Sequence, residues 1–326
     1  MNLKNRITFF ILTLITLGIA YIHLSGGVLG FKIPMHPSQT DTASILFYEL
    51  NLPRTCITIL AGISLSISGL LMQTYFNNPL AGPSMLGITA GSSLFVAISL
   101  MTGLLYFKST VGLVSAAIIG AFIFSCIILV LSYFIKSQLS ILIIGIMISS
   151  FTSSMIQFIE STSEALALKQ FTIWGFGSLQ KVYLEQLPFI ICIFSLSLFL
   201  VLFLIKPLNT LVLGEQSAAH LGINLKKTRL LIIICITLFT GTITAFCGPI
   251  AFIGLAVPNM VKILFKTTNH LILIVGCIFT GAIVLLSCDL CIIWLEPFFQ
   301  VPLNSITSFV GAPIVVWIIL KNRIHA

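Results

Sequence analysis

Cys288-x-x-Cys291 has the spacing of a thiol–disulfide couple or of one half of a zinc site. The pair lies in a hydrophobic stretch with no second pair to complete a zinc site, so both read as buried small apolar residues. Cys56, Cys126, Cys192, Cys235, Cys247 and Cys277 nearly all fall inside apolar runs as well. His23, His36, His220, His270 and His325 are scattered through termini and connectors without metal-ligand spacing. No catalytic set and no metal site are expected, and the chain itself is expected to bind no cofactor. No G-x-x-x-x-G-K-[ST] phosphate loop occurs, and there is no Gly-Lys dipeptide anywhere. If nucleotide hydrolysis drives this protein, the ATPase is another chain.

The chemistry left is that of polar groups set in apolar helices. Gly62, Ser66, Gly69 and Gln73 recur at intervals of four, three and four, which places them on one helix face. Small residues so spaced let two backbones approach closely, so helix packing is the plain reading. The Gln73 amide is harder to explain as packing alone, and it is assigned to the permeation path. Further on, Gly145, Ser149, Ser150, Thr152, Ser153, Ser154 and Gln157 make one apolar run unusually polar. Gly145, Ser149 and Thr152 align, and Ser150, Ser153, Ser154 and Gln157 form an adjoining stripe. Hydroxyls can bond back to their own helix. The density of polar groups still suggests a wall facing water or other protein, with Ser149 and Thr152 lining a conduit. Asp289 is the strong ionisable candidate within a span, and an ion-coupled carrier would be expected to have more.

These residues need membrane-spanning helices to hold them. Of 326 residues, 58% are hydrophobic and 7% are charged, and the mean hydropathy is +1.16. A soluble domain carries roughly 25% charged residues, because its surface must be solvated. Apolar runs separated by polar or Pro/Gly-rich breaks fall at 7–29, 56–76, 84–106, 111–135, 139–159, 186–205, 229–247, 250–266, 271–294 and 304–320. The predicted fold is an all-α integral membrane protein of about ten transmembrane helices, with residues 1–326 forming a single transmembrane domain. Lys4 and Arg6 precede the first run, which is long for a signal-peptide core and adequate for a span, so a retained helix is expected. The net charge of +8 sits in connectors rather than on one basic face, which argues against nucleic acid. Placing the N-terminus in the cytoplasm puts eleven Lys/Arg inside and five (Lys32, Arg54, Lys108, Lys169 and Lys181) outside. The positive-inside rule then sets both termini in the cytoplasm.

Two connectors exceed a turn. The outer one, from Glu160 to Glu185, contains Trp174-Gly175-Phe176-Gly177-Ser178 and is expected at the membrane interface. The inner one, about 207–227, contains Leu211 to Gly222, which reads as a short amphipathic helix ended by Gly222. A connector that only turned the chain would be shorter. This one looks made to be touched from the cytoplasm.

Several segments, in order, resemble the FecCD/BtuC family of permeases from type II ABC importers for ferric siderophores, haem and cobalamin. They are Leu52-Pro53-Arg54, Ala61-Gly62, Ser68-Gly69 and Gln73, then Asn78-Pro79-Leu80-Ala81-Gly82-Pro83 with Leu86-Gly87 and Gly91. Trp174 and Gly177-Ser178 follow, then Leu213-Gly214-Glu215 with Ala218-Ala219 and Leu221-Gly222. Gly248-Pro249-Ile250, Phe252 to Leu255, Pro258 and Gly311-Ala312-Pro313 complete a collinear set from about residue 50 to 320. The resemblance implies a BtuC-like permease paired with a second, identical or related permease subunit. It implies two ABC ATPase subunits that carry ATP and Mg, and an external substrate-binding protein. By similarity, Gly214, Glu215, Ala218, Ala219, Leu221 and Gly222 couple to the ATPase, and Asn78, Leu80 and Ser140 adjoin the inner gate. Arg54 belongs to the face that docks the binding protein. The location implied is the bacterial cytoplasmic (inner) membrane.

Departures from the family pattern thin the outer and inner charge. Asn77 stands where many members have Arg, Asn259 and Lys262 replace the usual His and Arg, and Asn51 replaces a common Arg. The segment after Asp289 lacks its usual Arg, and Leu303 replaces a Gly in Val301-Pro302-Leu303-Asn304. The leading expectation is an importer subunit for an iron complex, a ferric siderophore, with haem or cobalamin as alternatives within the family. An ion-coupled secondary transporter is the rival class. A membrane enzyme lacks any constellation to support it.

Overall fold

A computed structural model describes residues 3–27, 42–102, 110–135 and 137–324. Among these every regular element is helical. Lys32, Lys108 and Lys136 of the charge argument, together with His36 and His325, lie outside the described residues.

In chain order the main helices are α1 (Leu3–Leu24), α2 (Leu46–Tyr75), α3 (Ile88–Thr102), α4 (Thr110–Phe134) and α5 (Gln138–Ser161). They continue with α6 (Ala165–Gly175), α7 (Leu187–Leu211), α8 (Glu215–His220), α9 (Leu225–Cys247), α10 (Ile253–Phe265), α11 (His270–Leu295) and α12 (Leu303–Ile324). Among the described residues, seven helical stretches are long and apolar enough to cross a membrane. Three shorter apolar helices (Ile88–Thr102, Ile253–Phe265 and Leu303–Trp317) fall where the sequence places the third, eighth and tenth spans.

The helix α2 starts ten residues before the apolar run that announced it at position 56. Its first turns, Leu46–Asn51, are wound as a π-helix, directly ahead of Pro53. Proline lacks an N–H and crowds the carbonyl four residues back, and a wider turn relieves that crowding. Arg54 therefore sits inside a helix rather than in a connector.

The described residues form two compact units. One gathers Met1–Ile67, Ser178–Cys192 and Ala251–Ala326; the other gathers Ser68–Gly177 and Ile193–Ile250. In the first unit, α2 and α11 touch backbone to backbone. A methyl group on Gly62 would strike the Gly281 carbonyl, and one on Gly281 would strike the Gly62 carbonyl. Ser66 Oγ donates to the Cys277 carbonyl at 2.9 Å. Gly62 and Ser66 are thus packing residues, as their spacing suggested. α1 is held by Phe9 stacked on Phe265 at 4.6 Å between ring centroids. It otherwise presents Phe10, Leu14 and Leu17 outward, as a lipid-facing helix does.

The second unit is built on an equally close pair. Gly91 of α3 and Gly120 of α4 each have the other's carbonyl where a side chain would go, and Ser92 Oγ donates to the Ala117 carbonyl at 3.0 Å. Its core joins Val96, Ala117 and Ala245, with Phe171 and Trp174 of α6 packed against them. The connector from Glu160 to Glu185 thus contains a helix that turns its aromatic pair, partly buried, onto the core, and eleven residues suffice for three turns. The thiols of Cys235, Cys247, Cys277 and Cys288 are buried, while Cys192 and Cys291 are exposed.

Candidate functional site

The 207–227 connector folds as a capped unit. Gly214 (φ 96°) enters α8 and Gly222 (φ 81°) leaves it, both in a region that side chains disfavour. At the exit, Gly222 N–H donates to the Ala219 carbonyl at 3.0 Å and Ile223 N–H to the Ala218 carbonyl at 3.1 Å. That pair of bonds closes a helix around a left-handed glycine. Ala218 is fully buried in the chain's own packing, whereas Ala219 is exposed. Leu213 and Leu221 are 63% and 61% exposed, so the segment displays apolar tips rather than burying them.

Glu215 anchors this unit. Its Oε1 accepts from Gln138 Nε2 at 2.8 Å and lies 3.8 Å from Arg229 Nη2. Arg229 Nη1 also donates to the Ser132 and Ile135 carbonyls at 2.7 and 2.8 Å, at the end of α4. A cation there satisfies carbonyls that the helix leaves unpaired. Its guanidinium also lies over the Tyr75 ring, 5.7 Å from the centroid. Glu215 and its partners thereby tie the displayed segment to the end of α4, the first turn of α5 and the start of α9. Gln138 and Arg229 were missed in the sequence, where nothing marks a partner 77 residues away.

Gln73, expected in the path, and Asn78, Leu80 and Ser140, expected at the gate by resemblance, fall in the last turns of α2, the turn after it and the first turn of α5. Gln73 is buried in the last turns of α2. Asn78 Oδ1 accepts from Leu80 N–H at 2.9 Å, forming an Asx turn that leaves Leu80 37% exposed. Ser140 is half-buried in the first turn of α5, and its N–H donates to the Ser137 side chain at 3.3 Å.

The polar stretch of α5 borders an open cavity of about 490 Å³. Ser149, Ser153, Gln157 and Glu160 form one wall, with Ser84, Thr89, Ser93, Phe171 and Pro249 among the rest. Ser149 Oγ donates to the Gly145 carbonyl at 2.9 Å and Ser153 Oγ to the Ser149 carbonyl at 3.0 Å. Thr152 lies apart: its hydroxyl donates to the Ile148 carbonyl at 2.7 Å and its side chain is fully buried.

Arg54 enters a buried cluster in the first unit. Its Nε and Nη2 donate to Asp289 Oδ2 and Oδ1 at 2.7 and 2.8 Å, a two-pronged pair. His23 Nε2 lies 2.8 Å from the same Asp289 Oδ2, and its Nδ1 lies 2.7 Å from Thr55 Oγ1. Arg54 Nη1 stands 3.8 Å from Glu296, whose side chain is 49% exposed. The membrane acid thus has an arginine and a histidine as partners.

Apolar spans and a capped connector with exposed apolar tips thus stand together in one chain. The FecCD transport family model matches residues 7–321. The chain belongs to that family. Among curated FecCD relatives, the hemin transport system permease protein HmuU of Yersinia pestis is 30% identical over 322 residues, covering 97% of this chain and 95% of that protein. The vitamin B12 import system permease protein BtuC of Klebsiella pneumoniae subsp. pneumoniae is 31% identical over 322 residues, covering 98% and 95%. A solved structure, described as an inward-facing metal-chelate type ABC transporter, superposes with a TM-score of 0.85 at 26% identity, covering 96% of this chain and 99% of the other. This FecCD chain is a multi-pass membrane permease of the ABC importer type.

Proposed function

We propose that this FecCD permease moves an iron complex, a ferric siderophore, from an external binding protein into the cytoplasm. The observation that carries the reading is the anchored segment from Leu211 to Gly222, which holds Leu213 and Leu221 outward. Apolar side chains displayed beside a polar anchor suit a seat in another protein. Two ABC ATPase subunits, binding ATP and Mg, would take that seat, and a second permease subunit, identical or related, would complete the pathway. Motion of the ATPase would reach α5 through Glu215 and Gln138, whose side chains are 2.8 Å apart. Arg54 would serve the docking end through the shape it fixes, because two of its N–H groups already hold Asp289. The location that fits is the bacterial cytoplasmic membrane with both termini inside, as the bias of Lys and Arg between connectors implies.

The cargo is tested by purifying the co-encoded binding protein and measuring which compound it retains. Retention of a ferric siderophore is expected. Retention of haem or cobalamin, the cargo classes named for HmuU and BtuC, would replace the siderophore and keep the importer.

A further inference from the structure

The wall that α5 gives to this cavity is one-sided in its hydrogen bonding, whereas Ser84, Thr89 and Ser93 opposite carry hydroxyls that can donate or accept. Ser149 and Ser153 each commit their single proton to a carbonyl of their own helix, at 2.9 and 3.0 Å. A hydroxyl so engaged offers only lone pairs to anything in the cavity. Glu160, half-buried at the end of the same wall, is a pure acceptor when ionised. Phe171 adds a ring whose face is electronegative. Among the described residues, no Lys, Arg or His lines this space. Its volume of about 490 Å³ falls in the range of pockets that hold small molecules.

We infer that this cavity is a contact for cargo and that it favours neutral or cationic iron complexes bearing N–H or O–H donors over polyanionic ones. The inference rests on the importer reading and narrows its cargo. The lining offers a few neutral donors but no positive charge, so a polyanion that sheds water meets no counter-ion, and the Glu160 charge repels it directly. A complex with amide N–H groups or an ammonium arm meets acceptors at each of these positions. Gln157 on the α5 wall, like the hydroxyls of Ser84, Thr89 and Ser93, can donate as well as accept.

The test uses the complete transporter, with its ATPase and binding protein, in proteoliposomes. Uptake of a monocationic ferric trihydroxamate, a neutral ferric trihydroxamate and a trianionic ferric tris-catecholate is compared between wild type, Glu160→Gln and Glu160→Lys. Each variant is scored against wild type for the same complex, so selection by the binding protein cancels. Glu160→Lys is expected to slow the cation roughly fivefold, slow the neutral complex less, because only an acceptor is lost to it, and speed the trianion at least fivefold. The isosteric Glu160→Gln should fall between, and a charged complex read beside the neutral one separates the charge effect from a general loss of transport. Equal changes for all complexes, or none, in variants that retain ATP hydrolysis would overturn the inference while leaving the importer intact. No ATP-dependent uptake of any ferric complex by wild type would overturn the importer reading itself, and this inference with it.

Discussion

Gln138 donates to Glu215 at 2.8 Å, so the first residue of α5 is bonded to the first residue of the displayed α8. A charge-assisted bond of this kind contributes about 1.5–3 kcal/mol, enough to make the two helix ends move together. Gln138→Ala and Glu215→Ala should each cut uptake per ATP hydrolysed by about tenfold while ATP hydrolysis continues. Transport and hydrolysis measured in the same proteoliposomes check this. An unchanged ratio would remove the bond from the coupling route.

Ala218 and Ala219 are adjacent but answer different questions. Ala218 is fully buried in its own chain, so a larger side chain there is overpacked and costs about 1–3 kcal/mol of folding stability. Ala219 is exposed and should tolerate Arg in the isolated permease. Ala219→Arg is expected to leave the amount and melting temperature of the subunit unchanged yet abolish co-purification with the ATPase. Normal co-purification and uptake would mean that this face of α8 is not the seat.

The Arg54–Asp289–His23 cluster concerns stability before transport. Removing one partner of a buried ion pair costs about 3–5 kcal/mol, because the other charge is stranded. Arg54→Met or Asp289→Leu alone should lower the melting temperature of the detergent-solubilised subunit sharply. The double variant should recover much of the loss. Glu296→Gln should do little, since that carboxylate is half-exposed and 3.8 Å away. Additive losses in the double variant would show that the pair is not coupled.

Cysteines placed on α5 should separate the two stripes. In a background without the eight native cysteines, Ser149→Cys and Ser153→Cys should react with a small water-soluble thiol reagent, since both positions line the cavity. Thr152→Cys should stay inert, because that side chain is fully buried. Reaction at Thr152 with silence at Ser149 and Ser153 would place the water on the other face.

Much of this was legible in the chain because a bilayer leaves few solutions for backbone polar groups. Apolar runs of spanning length located every long helix, and the three short ones as well. The spacing of Gly62 and Ser66 announced a close helix contact, and Gly222 announced the end of α8. The beginning of α2 was hidden, because the π-turns ahead of Pro53 carry Glu49 and Asn51 and so break the apolar signal. Asp289 could be recognised as unusual, but its partners lie 235 and 266 residues away in the sequence. Ser149 and Thr152 share one helical stripe, yet only the first reaches the cavity. Neighbouring helices decide that difference, and helical periodicity does not carry it.

The importer reading is tested most directly by asking what drives accumulation. The permease is reconstituted with its co-encoded ATPase in sealed vesicles, and the binding protein, loaded with a radiolabelled iron complex, is supplied outside. Accumulation is expected only with ATP and Mg enclosed, should stop with Ala219→Arg, and should be indifferent to collapse of proton and sodium gradients. Accumulation without the ATPase, driven by an imposed proton or sodium gradient, would contradict it and make the chain an ion-coupled carrier.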